Sequence, residues 1–270
     1  MVSNRLDAAF ARVRSRGRKA LVAYLAAGYP KFSEQTALVK GMVEAGVDVL
    51  EVGIPFSDPV ADGPTIQYAS YQSLAGGTTV KKVMAWVKSL ATQVEIPIVF
   101  MTYMNPVLAY GIKKFADEAA AAGVTGVIVP DLVPEEAAEI SGALVARNIH
   151  LIHLVAPTTP AARLKRIAQQ TSGFLYAVSV AGVTGARRHK VFSAETKRWL
   201  RSLKDLSSHP VCVGFGISGT AQVKALRDSV DGFIVGSAFI DIIRKFKAGR
   251  RKAELNRFVR GLAKECIHGR

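Results

Sequence analysis

Short β-branched runs alternate with longer amphipathic stretches eight times along this chain, and no other feature limits its fold as tightly. The runs are Leu21–Leu25, Val47–Gly53, Ile96–Tyr103, Gly126–Val129, Leu151–Val155, Phe174–Val178, Val211–Gly214 and Gly232–Val235. Most lack polar alternation, as strands covered on both faces do. Strands alternating with helical patterns build parallel βαβ units, and eight of them with right-handed crossovers close into a (β/α)8 TIM barrel of the α/β class. An open doubly wound sheet shares this periodicity, but no dinucleotide glycine fingerprint follows the first run. A chain of 270 residues suits one such domain, so residues 1–270 are expected to form a single barrel.

Element ends are readable too. Leu6, Phe10 and Val13 recur at helical spacing ahead of the first strand, predicting an extra N-terminal helix that covers the lower end of the barrel. Ser33 stands where a cap is wanted before Ala37, Leu38, Gly41, Met42 and Ala45, and Gly46 follows where a left-handed cap belongs. Pro134 occupies a favoured first-turn position.

A net charge of +15 raises the question of a polyanionic partner. The surplus sits at the ends. Residues 1–19 hold six basic and one acidic residue and residues 241–270 hold ten and three, so the two ends carry +12 of the +15. No stacking aromatic pair or Cys/His spacing accompanies them, which argues against specific nucleic-acid binding. Cys212 and Cys266 are too few for a disulfide framework or a zinc site and are read as structural. The five histidines form no ligand pair, so no metal is assigned; His150 and His153 are expected to pack or to face solvent. With no secretory signal and no apolar stretch of about 20 residues, the expectation is a cytoplasmic protein away from membranes.

Two connections exceed the usual βα length of about 2 to 6 residues. They run from Pro55 to Thr79 and from Ala181 to Ala194. Both belong at the C-terminal mouth, where barrels of this kind place their chemistry. Ahead of the first lies Glu51, inside an apolar strand. A buried carboxylate is either paired or raised in pKa toward acid–base use, and the residues alone leave a structural and a catalytic Glu51 equally open. Asp58 and Asp62 precede Pro and Gly, which is ordinary turn chemistry.

Near the end of the chain, three consecutive strands finish in glycine-rich segments: Gly182-Val183-Thr184-Gly185, Gly214-Phe215-Gly216-Ile217-Ser218-Gly219 and Gly236-Ser237. Glycines admit an anion to the backbone, and a helix starting near Ser237 would aim free N–H groups at a phosphate. Loops after strands seven and eight are the frequent phosphate site of barrels. Tyr24, Tyr103, Tyr176 and Phe215 lie near strand ends, where they either wall a pocket for a flat ring or belong to the core.

The run from Glu51 through Val52-Gly53-Ile54-Pro55-Phe56-Ser57-Asp58-Pro59-Val60-Ala61-Asp62 to Gln67 resembles the signature of the tryptophan synthase alpha chain family. Similar matches continue in Met101–Pro106, Val129–Leu132, Leu154–Pro160, Tyr176 with Gly182–Gly185, Gly214–Ser218 and Gly236-Ser237. What the resemblance implies is a lyase of tryptophan biosynthesis that splits indole-3-glycerol phosphate into indole and glyceraldehyde 3-phosphate by retro-aldol cleavage.

It implies Glu51 as proton shuttle between side-chain hydroxyl and ring carbon, and Asp62 as acceptor for the indole N–H. Thr184 would close over the site and bond to Asp62, and Tyr176 would line the pocket. Gly185, Gly216, Gly236 and Ser237 would hold the phosphate, while Tyr24, Tyr103 and Phe215 would flank the indole. No cofactor is implied in this chain. The implied partner is a beta chain carrying pyridoxal phosphate, in an alpha2-beta2 complex, with Pro55 and Asp58 at the contact. Other phosphate barrels would offer a catalytic lysine at the mouth, and no lysine lies within these eight runs.

Overall fold

The computed structural model describes residues 3–178, 192–214 and 216–267. Helix α1 (Arg5–Ser15) precedes β1 (Ala20–Ala26), α2 (Phe32–Ala45), β2 (Val49–Gly53), α3 (Pro64–Ala75), α4 (Val80–Ala91) and β3 (Ile98–Met101). There follow α5 (Met104–Tyr110), α6 (Ile112–Ala121), β4 (Val124–Ile128), a 3-10 turn (Pro134–Glu136), α7 (Ala138–Val145), β5 (His150–Ile152), β6 (Leu154–Val155), α8 (Ala161–Gln170) and β7 (Leu175–Val178). The remainder comprises α9 (Ala194–Leu206), β8 (Val211–Gly214), α10 (Thr220–Leu226), β9 (Gly232–Val235), α11 (Ser237–Lys245) and α12 (Ala248–Glu265).

All the strand pairs are parallel, in the order β5-β4-β3-β2-β1-β9-β8-β7-β6. The two ends of that order are joined by a single residue, His153. Here the structure differs from the expectation of eight continuous strands: the fifth run is divided. Its first half pairs with β4 and its second half with β7. The Thr171 hydroxyl accepts the His153 N–H at 3.1 Å, and the His153 carbonyl accepts the Tyr176 N–H at 3.0 Å. His153 thus hands the chain from one neighbour to the other and completes the (β/α)8 ring.

Strand burial explains the unbroken apolar runs. Every residue of β1, β2, β3 and β4 is buried, with side chains directed either inward or against the surrounding helices. Helix α1 buries Leu6, Ala9, Phe10 and Val13, as its spacing predicted. Asn4 caps it by accepting from the N–H groups of Leu6 and Asp7, and the Asp7 carboxylate accepts the Asn4 N–H in return. Leu6 plugs the lower end: a side chain on Gly173 would run into its methyl group.

Three local expectations need correction. Lys31, not Ser33, is the cap of α2, which places Ser33 inside the first turn; Gly46 does end that helix, with φ of 117°. Pro134 opens a 3-10 turn, and the α-helix begins only at Ala138. The segment from Pro55 to Thr79 is not one long loop, because α3 fills Pro64–Ala75. His150 and His153 are both buried, and both cysteines are free and buried. Among the described residues no helix is long and apolar enough to cross a membrane.

Candidate active site at the barrel mouth

Glu51 stands opposite Tyr24 of β1 and Val99 of β3 in the parallel register. Two residues further on, Gly53 leaves the space that Tyr24 needs, since a Cβ there would overlap the Tyr24 hydroxyl. The other side of the ring repeats this arrangement. Tyr176 pairs with Cys212, and a Cβ on Gly214, two residues beyond, would overlap the Tyr176 hydroxyl. Both tyrosines are thereby seated low in the mouth, facing the same pocket as Glu51.

The enclosed part of that pocket has a volume of about 60 Å³, and it opens to solvent. One side presents Glu51, Asp62, Ile66 and Met101; the other presents Gly216, Ile217, Gly236 and Ser237.

The two carboxylates reach it by different routes. Glu51 comes from a strand, is 1% exposed, and has no hydrogen-bond partner on either carboxylate oxygen among the described residues. Burial, and then the nearby Asp62, push its pKa up to about 8. Asp62 comes from a turn closed by its own N–H to the Pro59 carbonyl at 3.0 Å, while the Gln67 side chain donates to its carbonyl at 2.9 Å. Burial raises its pKa to about 6, and the Tyr103 hydroxyl, donating toward it, opposes that rise. The same hydroxyl accepts the Ala61 N–H at 3.1 Å. The turn chemistry read for Asp62 is real, and the turn delivers a buried carboxylate.

On the opposite wall, α11 begins at Ser237 with Gly236 as its cap, so the unpaired N–H groups of the first turn lie at the pocket. A side chain on Gly236 would crowd the Tyr24 ring. Gly216 adopts φ of 86°, a conformation that favours glycine. Its loop is held by Gln222, which donates to the Gly216 carbonyl at 2.7 Å and accepts the Ser218 N–H at 2.6 Å.

Of the residues singled out from sequence, Tyr24, Glu51, Asp62, Tyr176, Gly216, Gly236 and Ser237 converge on this pocket. Tyr103 stands behind Asp62, packed on Phe56 with ring centroids 5.4 Å apart. Pro55 is buried and Asp58 exposed. Thr184, Gly185 and Phe215 lie outside the described residues. Ile66, Gln67 and Gln222 were not predicted as site residues, although Ile66 and Gln67 close the signature that pointed to Asp62. Among the described residues no group of three His, Cys, Asp or Glu side chains gathers to hold a metal.

Comparison with known proteins agrees with this geometry. The family model for the tryptophan synthase alpha chain matches residues 10–266. The tryptophan synthase alpha chain of Geobacter sulfurreducens is 41% identical over 259 residues, covering 96% of this chain and 97% of that one. Its counterpart from Carboxydothermus hydrogenoformans is 43% identical over 251 residues, covering 93% of each. Among solved structures, Mycobacterium tuberculosis tryptophan synthase superposes with a TM-score of 0.89 at 37% identity, covering 99% of this chain and 100% of that one. The alpha subunit from Legionella pneumophila str. Paris gives 0.89 at 33% identity, with coverage of 98% and 99%. With its barrel, mouth and signature all matching along nearly its whole length, the chain belongs to the tryptophan synthase alpha chain family.

Proposed function

We propose that the chain is the lyase subunit that cleaves indole-3-glycerol phosphate to indole and glyceraldehyde 3-phosphate, with Glu51 and Asp62 as its acid–base pair. The observation that carries these roles is the meeting of two buried carboxylates in one pocket, Glu51 without a hydrogen-bond partner among the described residues; burial pushes the Glu51 pKa up to about 8 and that of Asp62 to about 6. Between those values Glu51 holds a proton and Asp62 does not. Groups whose environments push their pKa values apart divide into acid and base.

The reaction uses that division. Glu51 gives its proton to the ring carbon that bears the glycerol chain, and positive charge develops at the ring nitrogen. Asp62 accepts the N–H hydrogen bond and stabilises that charge. Ionised Glu51 then takes the proton of the adjacent side-chain hydroxyl. The carbon–carbon bond breaks, its electron pair returns to the ring, and an aldehyde forms. Glu51 ends protonated, as it began.

The phosphate is read onto Gly216, Gly236 and Ser237, where first-turn N–H groups favour an anion. Gly185 is assigned to the same group, with Thr184 as the closing residue over Asp62. Tyr24, Tyr176 and Phe215 are read as walls for the indole, and Tyr103 as a further wall that also holds Asp62. The beta-chain partner suits the rim after β2, β3 and β4. There Asp58 is exposed, and so are the apolar side chains of Val60 and Leu108. The finer reading is an alpha2-beta2 complex whose pyridoxal phosphate belongs to the beta chain, formed in the cytoplasm by a single-domain alpha chain. Buried Pro55 would shape that rim from beneath.

The test is indole release from the substrate by the purified chain, with and without a beta chain. Wild type should release indole, Asp62→Asn should lower the rate on the order of 10²-fold or more, and a folded Asp62→Asn enzyme at full rate would overturn that assignment.

A further inference from the structure

A second cavity, of about 620 Å³, opens at the opposite end of the barrel. It lies between α1 and the segments that lead into β1, β7, β8 and β9, which supply Lys19, Gly173, Pro210 and Asp231. It shares no lining residue with the mouth pocket.

Its charges are unevenly matched. Asp7 accepts from His150 at 3.0 Å and from its own capping partner Asn4. Asp231 is held by Lys204 at 2.8 Å and by the Val211 N–H. Arg18, also on the wall, is turned to Asp48. That leaves Arg14 and Lys19 as lining cations with no acidic partner within ion-pair distance among the described residues. Lys19 is half-buried; burial, followed by repulsion from Lys204, lowers its pKa, against the pull of Asp231 and Asp228, neither of which comes within ion-pair distance of it. An unpaired, partly desolvated ammonium is costly, and an anion in the cavity would offset that cost. The exposed Ser208 adds a hydroxyl at the rim, and Phe10, Val13 and Pro210 supply apolar wall.

We propose that this lower cavity is a second ligand site, which takes a small organic anion with an apolar body, its phosphate or carboxylate held by Lys19 and Arg14. The volume fits a molecule of metabolite size. The apolar wall would take the body of the ligand, so an anion with a ring should bind better than a bare one. Of the six basic residues at the N-terminal end of the chain, Arg14, Arg18 and Lys19 line this cavity.

The experiment titrates phenyl phosphate, and separately inorganic phosphate, into the full-length isotope-labelled chain at low salt while backbone amide shifts are followed. Phenyl phosphate should shift residues 14–19 and 207–210 in a saturable transition distinct from the one at Gly216 and Gly236. Arg14→Gln/Lys19→Gln should weaken that transition at least tenfold and leave the mouth transition and the rate of indole release within twofold. Inorganic phosphate should bind the lower cavity several-fold less tightly. Should the double variant lose its fold, Arg14→Gln alone, on an exposed helix position, should still weaken binding about threefold. Shifts confined to the mouth, or a lower transition of unchanged affinity in a folded variant, would overturn the site.

Discussion

One buried carboxylate stands just ahead of strand β2 and another at its centre, and the two are kept under opposite conditions. Asp48, just ahead of the strand, accepts the Leu21 N–H at 3.0 Å and faces both terminal nitrogens of Arg18 at 3.4 Å. Glu51, three positions on, has no hydrogen-bond partner for its carboxylate among the described residues. Both are desolvated, and burial raises the pKa of each; at Asp48 the Leu21 N–H and Arg18 pull back against it. Burial alone therefore does not mark a functional acid. What separates the two is whether the fold supplies partners, since a buried polar group left without any is an exception that calls for a reason. At the lower end the carboxylate ties two strands and a bridging arginine together. At the mouth the empty side is turned to the pocket.

The sharpest way to break this contrast is to neutralise each carboxylate in turn. Glu51→Gln should cut indole release by about 10²- to 10⁴-fold, the usual range for loss of a general acid–base group, while the protein melts no earlier than wild type. Asp48→Ala should do the reverse. It strands the Leu21 N–H and the Arg18 guanidinium, at a cost of about 1–3 kcal/mol, visible in denaturant unfolding, with the rate per folded molecule unchanged. Earlier melting in Glu51→Gln together with unaltered stability in Asp48→Ala would invert the assignment.

A subtler effect follows from pH. Folded Glu51 titrates near 8 against an ordinary value of 4.5, so between those values the folded state binds the proton more tightly than the unfolded state. The stabilisation from a raised pKa is complete below 4.5 and is lost as pH rises through 8. Wild type should therefore lose stability relative to Glu51→Gln across that window, at no more than about 1.4 kcal/mol per pH unit. Asp62, raised to about 6, contributes the same sign at lower pH and remains in both proteins. Parallel stability curves for the two proteins from pH 4 to 9 would mean that Glu51 is solvated or paired.

The contrast within β2 also bears on how much of the molecule was legible in its sequence. The strands were legible because both faces are covered, which writes burial as unbroken β-branched runs. Helix α3 was not, because it buries Ala69, Ser70 and Ser73, and small residues leave no apolar stripe. The division at His153 depends on a hydroxyl from Thr171, eighteen residues away, which no local pattern reports. Glu51 could be suspected from a charge in an apolar run, yet the same reasoning applied to Asp48 would have misled, since only the fold shows Leu21 and Arg18 arriving. Asp62 reads locally as a turn; its proposed role as the acceptor of the indole N–H depends on burial against the strand ends and on Tyr103. The lower cavity was hidden for a related reason, its walls coming from separate segments of the chain.

The smallest change tests the partner that Asp62 has and Glu51 lacks. The Tyr103 hydroxyl lowers the Asp62 pKa against the pull of burial. Tyr103→Phe removes that hydrogen bond, so the Asp62 pKa should move above 6, and the enzyme should need a higher pH to keep Asp62 ionised. The acidic limb of the rate profile should shift upward by up to about one pH unit, the equivalent of a hydrogen bond of roughly 0.5–1.5 kcal/mol. The rate at pH 6 should then fall several-fold, while the rate near pH 8 stays close to wild type. The Ala61 N–H loses its acceptor as well, so a small drop in stability is expected at all pH values. A uniform loss of rate with the limb in place would show that Tyr103 acts on the turn or the indole pocket and leaves the Asp62 proton alone, and the distinction between a partnered and an unpartnered acid would then have to rest on Glu51 and Asp48.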